Sequence, residues 1–201
     1  MTIRLLAFSG SSRAGSINQG VLRAAMAGAR RAGAEVTHLD LRSLGLPIYD
    51  GDLEARDGLP PPAVELKQTM AAHHGFLVAC PEYNSGYTPL LKTAIDWASR
   101  RTEDEPPRVA FAGKVVGLMS ASAGAFGGIR SLPSVRILFE NLGAHCLPRL
   151  LAVGGVGEGF FDDEGRVADG KRREQLEALG AEVVRLAGAL CVARAEPPPT
   201  G

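Results

Sequence analysis

The segment that most limits how this chain can fold is residues 8–18, Phe-Ser-Gly-Ser-Ser-Arg-Ala-Gly-Ser-Ile-Asn. It follows a short apolar run, Ile3 to Ser9, that predicts a buried β-strand, and it precedes a helical pattern that begins at Ile17. A strand, a polar loop and a helix N-terminus form a corner where free backbone N–H groups and the helix dipole attract anions. Arg13 adds a planar, permanently charged donor suited to phosphate. The loop therefore predicts an anion site, although Ser16 as a simple helix cap beside a solvated Arg13 explains the same residues.

Strands and helices alternate along the rest of the chain. Short apolar segments predict strands at residues 3–9, 35–41, 75–80, 114–120 and 145–153. Apolar residues at helical spacing predict helices at residues 17–31, 63–72, 90–100, 129–142 and 171–192. This alternation predicts an α/β fold, a doubly wound five-stranded parallel sheet with helices on both faces. With an anion loop after the first strand, we expect the flavodoxin-like strand order 2-1-3-4-5, with the polar alternation of residues 35–41 on an edge strand.

The bulk properties of the chain indicate one domain and give no support for a nucleic-acid or membrane partner. The length of 201 residues fits a single domain, expected at residues 1–192, followed by a disordered tail at residues 193–201. The formal net charge is zero, so overall charge favours neither a nucleic-acid nor a membrane partner. Cys80, Cys146 and Cys191 form no CxxC pair, which is typical of reduced thiols. We expect no signal peptide and no transmembrane run, and therefore a cytoplasmic location.

Several remaining segments give weaker signals. Residues 44–62 and 154–170 are expected to be long loops, and they are the candidates for selecting a substrate. Residues 101–113 contain a charge cluster that we interpret as a solvated turn. The pair His73-His74 lacks the i, i+4 spacing of two metal ligands on one helix face, so no metal site is expected. No Ser-His-Asp or Cys-His arrangement for nucleophilic catalysis is expected either.

Two further loops follow the third and fourth predicted strands. Residues 81–89, Pro-Glu-Tyr-Asn-Ser-Gly-Tyr-Thr-Pro, offer backbone polar groups beside Tyr83 and Asn84. Residues 121–128, Ala-Ser-Ala-Gly-Ala-Phe-Gly-Gly, allow a planar ring to approach the backbone because glycine has no Cβ. Either loop alone is also compatible with an ordinary turn. Because ligands of such sheets bind beyond the carboxyl ends of the strands, these loops and the first one predict a shared crevice.

With these three loops, the chain resembles the NADPH-dependent FMN reductase family, which includes quinone, chromate and azo-dye reductases. The resemblance covers roughly residues 3–190 and rests on residues 10–18, 81–100 and 120–144. It implies a flavodoxin-like fold and a bound FMN. The residues expected to hold the FMN phosphate are Ser11, Arg13, Ser16 and Asn18, with Ile17 in the same site. The residues expected to line the isoalloxazine are Pro81, Glu82, Tyr83, Asn84 and Ser85, with Ser120, Ser122 and Gly124 at its other edge.

The same resemblance implies the chemistry. NADPH, or NADH, would pass a hydride to FMN, and a small-molecule electron acceptor such as a quinone, a flavin, an azo compound or a metal oxyanion would then be reduced. No catalytic side chain is expected, and no residue is committed to the 2′-phosphate of NADPH. A homodimer or a dimer-of-dimers tetramer is implied, with the helix after Pro89, which bears Trp97, as the candidate interface. A flavodoxin-type electron carrier and a flavin-free binding protein are the alternatives.

Overall fold

Successive residues of a strand point to opposite faces of a sheet, so strands that are apolar throughout need cover on both sides. The computed structural model describes residues 1–102 and 105–195 and contains a parallel sheet in the order β2-β1-β3-β4-β5. The strands are β1 (Arg4–Ser9), β2 (Glu35–Leu39), β3 (Gly75–Ala79), β4 (Val115–Ala121) and β5 (His145–Val153). The helices are α1 (Ile17–Arg31), α2 (Gly51–Asp57), α3 (Pro61–Ala71), α4 (Pro89–Ala98), α5 (Leu132–Asn141) and α6 (Gly170–Ala195), with a 3₁₀ helix at Leu41–Leu44. The predicted flavodoxin-like fold is confirmed, with β2 at an edge.

The sheet separates two apolar cores. Leu5 and Ala7 of β1 pack in the core beneath α1 and α6, whereas Leu6 and Phe8 pack in the core beneath α3, α4 and α5. All four side chains are buried, so the middle of the sheet is dry on both faces. This burial holds the carboxyl ends of the strands, where the predicted loops begin, in fixed relative positions.

The layer of α1 and α6 depends on close backbone contact. A Cβ at Gly28 would overlap the carbonyl of Glu177, and a Cβ at Gly180 would overlap the carbonyl of Ala25. The two helices can cross this closely only because both positions are glycine.

The predicted bounds of α1 and β5 agree with the structure, and four other expectations need correction. The segment 44–62 contains α2, whose N-terminus is capped by Asp50; α2 buries no residue, so apolar periodicity could not reveal it. Residues 193–195 continue α6 and are not part of a tail, while residues 196–201 lie outside the described residues. Helix α5 starts at Leu132, three residues later than expected.

The segment 101–113 is the fourth correction, because only part of it is a solvated turn. Residues 103 and 104 lie outside the described residues. Phe111 is fully buried and packs against Phe76 and Phe139, while Glu105 forms an ion pair with the buried Lys67. The segment is therefore held in two places: Phe111 packs into the core near its end, and the Glu105–Lys67 ion pair fixes it earlier in the chain.

Trp97 of α4 cannot serve as an intermolecular contact. Its side chain is fully buried, its Nε1 donates to the Pro47 carbonyl at 2.8 Å, and its ring packs edge-on against Tyr49. Trp97 therefore fixes the segment after the 3₁₀ helix onto α4 within one chain. Within residues 1–102 and 105–195, no helix has the length and apolar character required to span a bilayer.

Candidate functional site

The carboxyl ends of β1, β3 and β4 open onto one cleft of about 260 Å³. Because the three strands are parallel neighbours, the loops that follow them emerge at the same edge of the sheet. The lining residues are Ser11, Arg13, Ser16, Ile17, Asn18, Pro81, Glu82, Tyr83, Ala121, Ser122 and Ala123. The structure thus brings the three predicted loops together, and nine of the predicted site residues line the cleft they form.

The first loop, residues 10–16, is organised by its own serines. Ser9 Oγ accepts from the Ser11 N–H at 3.2 Å, Ser11 Oγ accepts from the Arg13 N–H at 3.3 Å, and Ser16 Oγ caps α1 by accepting from the Asn18 N–H at 3.2 Å. Gly10 packs tightly beneath the loop, since a Cβ there would lie 2.6 Å from Thr88 Oγ1. The loop is therefore held in place without a ligand.

Donors of this loop are left available for an anion. Within the described part of the chain, the backbone N–H groups of Ser12 and of residues 14–17 have no acceptor. The exposed Arg13 guanidinium likewise has no hydrogen-bond or ion-pair partner among the described residues. Free N–H groups at a helix N-terminus beside an arginine are well suited to a phosphate group.

Asn18 has a different position from the one expected of a phosphate ligand. Its side chain is 4% exposed, its Nδ2 donates to the Ala121 carbonyl at 2.9 Å, and its Oδ1 accepts from the Ala121 N–H at 3.0 Å. Both polar groups of the amide are therefore used within the protein. Asn18 fastens the start of α1 to the end of β4, and so connects the first loop to the third.

Glu82 makes a comparable link between the second and third loops. Its carboxylate accepts from the backbone N–H groups of Arg130 and Ser131 at 3.0 and 3.1 Å, and pairs with the Arg130 guanidinium. Partial burial opposes ionisation, but these donors outweigh it and lower the pKa of Glu82. Arg130 was not among the predicted residues, because no local pattern relates it to a carboxylate 48 positions earlier.

The second loop ends in a tight exposed turn. Tyr83 and Gly86 exchange two backbone hydrogen bonds of 3.0 Å, and between them Asn84 and Ser85 both have positive φ, at 52° and 65°. Tyr83 lines the cleft with its side chain 48% exposed, whereas Asn84 and Ser85 are exposed at the tip and outside the lining. Pro81, Glu82 and Tyr83 are thus the part of this loop that the structure brings to the cleft.

Two predicted residues of the third loop, Ser120 and Gly124, lie outside the lining of the cleft. Ser120 is fully buried inside β4, with its Oγ close beneath Gly128 and without a hydrogen-bond partner, and it does not line the cleft. Gly124 lies outside the lining too; its carbonyl accepts from the Ser122 hydroxyl and two backbone N–H groups and so shapes the loop. Strand β4 continues one residue beyond the expected end, which moves the cleft wall to residues 121–123.

These features define a mononucleotide-binding protein of the flavodoxin-like class. A phosphate fits the free donors of the first loop, and a flat ring fits the open cleft between small residues of the third loop and Tyr83 of the second. The comparisons with known proteins agree. A profile of the family described as NADPH-dependent FMN reductase matches residues 3–158.

Sequence alignments with named relatives extend over nearly the whole chain. An NAD(P)H-dependent FMN reductase from Pseudomonas aeruginosa is 37% identical, with 92% of this chain and 98% of the relative covered. An NADPH:quinone oxidoreductase from Arabidopsis thaliana is 34% identical over 92% and 94% of the two chains, and a quinone reductase from Escherichia coli is 30% identical over 92% and 97%. The chain belongs to the NADPH-dependent FMN reductase family, whose members use FMN as redox cofactor and NAD(P)H as electron donor.

The solved structures support the fold. A flavoenzyme NAD(P)H:(acceptor) oxidoreductase from Paracoccus denitrificans superposes with a TM-score of 0.78 at 23% identity, covering 94% of this chain and 98% of that one. An archaeal flavodoxin superposes with a TM-score of 0.60 at 10% identity, covering 92% and 99%. The sheet and its helices are therefore shared well beyond the range of sequence similarity.

Proposed function

We propose that this protein uses NADPH to reduce a quinone through FMN bound in the cleft at the carboxyl ends of β1, β3 and β4. The observation that carries the proposal is the convergence of three loops on one open cleft with unused phosphate donors on one side. Relatives 30–34% identical to the chain carry the names quinone reductase and NADPH:quinone oxidoreductase, which supports a quinone as acceptor. FMN supplies the hydride chemistry when it is bound.

The residues of the cleft would then bind and orient. Arg13 and the free N–H groups of Ser16 and Ile17 line the cleft and hold the phosphate, and Pro81, Tyr83 and Ser122 flank the ring. Asn18 and Glu82 act by holding the three loops together, because their polar groups are bound within the protein. Since Glu82 is ionised and paired with Arg130, it is unsuited to donate a proton in the cleft.

The test starts with FMN retention and then measures turnover. Purified protein mixed with FMN and desalted should keep a flavin spectrum that bleaches with NADPH under anaerobic conditions and recovers on addition of a benzoquinone. Flavin that is retained but never bleached with NADPH would overturn the proposal in favour of an electron carrier. Protein that retains no flavin, and shows no binding in a titration, would refute the cofactor site.

Arg13→Ala tests the phosphate assignment. Hydrogen bonds to charged groups contribute about 1.5–3 kcal/mol, so the Kd of FMN should rise roughly tenfold or more. Turnover at saturating FMN should stay near that of the wild type, because Arg13 acts through retention of the cofactor. Arg185→Ala, which removes the same charge from the exposed face of α6, is the control and should leave the Kd unchanged.

We further propose that copies of the chain associate as a dimer or dimer of dimers, in the cytoplasm. Large apolar side chains are exposed on two of the loops that form the cleft. Tyr83 lines the cleft and is 48% exposed, Phe126 of the third loop is 65% exposed, and Ile129 directly after that loop is 37% exposed. The three cysteines are free thiols, which supports a reducing compartment. Light scattering of the wild type and of Phe126→Lys tests the association: a monomeric wild type would refute it, and a shift of the variant toward monomer would support it.

A further inference from the structure

A separate cavity, of about 170 Å³, lies at the amino ends of β1, β3 and β4, on the opposite edge of the sheet from the cleft described above. Its walls come from residues 71–74 before β3, residues 112–114 before β4, and the last turns of α6. Small-molecule and cofactor sites usually occupy about 300–1,000 Å³, so this cavity fits only a small molecule or an ion. The polar side chains of its lining are Arg4, His73, His74, Lys114, Cys191 and Arg194.

Lys114 places a buried positive charge in this cavity. It is 8% exposed, and its Nζ donates to the carbonyls of Ala71 at 2.9 Å and His73 at 2.5 Å. An ammonium group has three N–H donors, so one of them has no acceptor among residues 1–102 and 105–195. Lys114 forms no ion pair with a carboxylate of that part of the chain either. Because buried charges are normally paired, the cavity is suited to an anion.

Two exposed arginines add to this charge. Arg4 donates through Nε and Nη2 to the Ala72 carbonyl at 3.1 and 2.9 Å, and Arg194 Nη2 donates to the Gly113 carbonyl at 2.8 Å. Neither guanidinium is in an ion pair with a described residue. A Cβ at Gly113 would overlap the Arg194 guanidinium, so this arginine can lie against the backbone only because the position is glycine.

The carbonyl contacts suggest a simpler role, in which the cations cap the C-terminus of α3. Ala71 is the last residue of that helix and Ala72 is its C-cap, where the helix dipole favours a cation. The dipole corresponds to only about half a negative charge, whereas three cations face it and the lining contains no Asp or Glu. Capping therefore leaves an excess of positive charge unexplained.

His74 contributes a further donor and no negative charge. Its Nδ1 accepts from the Arg4 backbone N–H at 2.9 Å, so the neutral ring carries its proton on Nε2. Burial, with the positive charges of Arg4 and Lys114, lowers the pKa of His74, which keeps the ring neutral at pH 7.

We propose that this cavity binds a tetrahedral oxyanion with two negative charges, such as inorganic phosphate or sulfate, between Lys114, Arg4 and Arg194. The three cationic groups come from β1, the start of β4 and the end of α6, and they offer N–H donors from several directions, which suits a tetrahedral acceptor. None of the three lines the cleft at the carboxyl ends of the strands, so the inference is independent of the proposed function.

Calorimetric titration of the FMN-loaded protein with sodium sulfate tests the proposal. FMN occupies the phosphate donors of the first loop, and constant ionic strength keeps screening equal in all samples. Arg194→Ala should weaken sulfate binding at least roughly tenfold, as expected for the loss of charge-assisted hydrogen bonds. Arg185→Ala removes the same charge from α6 outside the cavity and should bind sulfate like the wild type.

The pH dependence gives a second readout. The charged and titratable groups that face Lys114 are Arg4 on β1, His73 and His74 before β3, and Cys191 and Arg194 on α6. Burial, reinforced by Arg194 and Arg4 and opposed by Cys191, lowers the pKa of Lys114 to about 8. Only about a tenth of this ammonium remains charged at pH 9, so sulfate, whose own charge is constant over this range, should bind roughly tenfold more weakly at pH 9 than at pH 7.

Two variants identify the group that titrates. Lys114→Met keeps the approximate volume of the side chain without its charge, and it should bind sulfate weakly at both pH values. Cys191→Ser should keep the pH dependence of the wild type. If Lys114→Met fails to fold, the wild-type pH dependence and the Arg194→Ala titration still decide.

Three outcomes would overturn the proposal. The first is a wild type that binds no sulfate, and the second is an Arg194→Ala variant that binds sulfate as tightly as the wild type. The third is sulfate binding that Arg13→Ala abolishes at saturating FMN while Arg194→Ala does not, which would assign the anion to the first loop. Retention of FMN and its bleaching by NADPH are measured separately, so the proposed function is tested on its own.

Discussion

Replacing Asn18 by alanine should destabilise the protein even when no cofactor is present. The amide makes two buried hydrogen bonds, of 2.9 and 3.0 Å, to the carbonyl and N–H of Ala121, whose side chain is buried too. The variant leaves both backbone groups without a partner at the end of β4. The stability loss comes from these two groups, since the side chain contributes little apolar area.

The size of the effect follows from the number of groups left unsatisfied. One buried donor or acceptor without a partner costs about 1–3 kcal/mol, so two of them predict a loss of roughly 2–4 kcal/mol if a water molecule partly replaces the amide. For a domain of about 200 residues, each kcal/mol corresponds to roughly 2–4 °C in Tm. Urea unfolding of the FMN-free protein, followed by circular dichroism, measures the loss directly.

Gln19→Ala is the matched control for this measurement. It removes a similar amide one residue further along α1, where the hydrogen bond to His38 is exposed to solvent. Its free energy of unfolding should lie within about 0.5 kcal/mol of the wild type. If Asn18→Ala is no less stable than Gln19→Ala but binds FMN poorly, Asn18 is a direct phosphate ligand and the structural role argued above is wrong.

Three further predictions follow from the same contacts. Gly28→Ala and Gly180→Ala should each lower the free energy of unfolding by about 1–3 kcal/mol, because the added Cβ would overlap the backbone of the facing helix. Gly188→Ala should raise the free energy of unfolding by roughly 0.5–1 kcal/mol, because its Cβ would meet only the Ile3 side chain at an ordinary contact distance of 3.9 Å. Urea unfolding midpoints of the three variants test these expectations. Folding lowers the pKa of Glu82, so the ionised carboxylate contributes stability above the usual carboxyl pKa of 4.5, and this contribution is lost as the pH falls through the lower pKa of the folded protein. The difference in unfolding free energy between the wild type and Glu82→Gln should therefore narrow over that acidic range. A difference that stays constant with pH would contradict the assignment of this stability to the Glu82 carboxylate. Burial raises the pKa of Cys80 to about 11, so mass spectrometry after iodoacetamide treatment at pH 8 should find it unmodified in the native protein and modified in urea.

Local signals were sufficient for the elements whose ends are decided by neighbouring residues. The bounds of α1 were predictable because Ser16 caps its start and Gly33 follows its end, and β5 was predictable from its apolar run. Helix α2 was missed because it is held by the Asp50 cap without an apolar face. The start of α5 was predicted too early. Helix α5 begins at Leu132, directly after Ser131, whose N–H donates to the distant Glu82 carboxylate, and apolar periodicity carries no information about such a partner.

Most residues of the site could be predicted from the sequence, but the role of each residue could not. The motifs placed Asn18 and Glu82 at the cleft, yet the partners that decide their roles lie 103 and 48 positions away in sequence. The polar type of a residue shows that it will form hydrogen bonds, and only the fold shows with which group. Arg130 was missed for the same reason, because its partner Glu82 lies on another loop.

The two internal links also bear on how the cofactor binds. Asn18 joins the first loop to the third, and Glu82 joins the second loop to the third, so all three walls of the cleft are connected before any ligand arrives. A preformed site loses little conformational entropy on binding, so a few donors around one phosphate can hold a flavin without a covalent bond. Among the described residues, Arg13 remains the charged donor without a partner on the wall that the first loop contributes to the cleft. The geometry therefore indicates that Asn18 and Glu82 keep the cleft rigid and that Arg13 contributes affinity for FMN. Substitution of Asn18 or Glu82 should lower the stability of the protein, whereas substitution of Arg13 should weaken FMN binding.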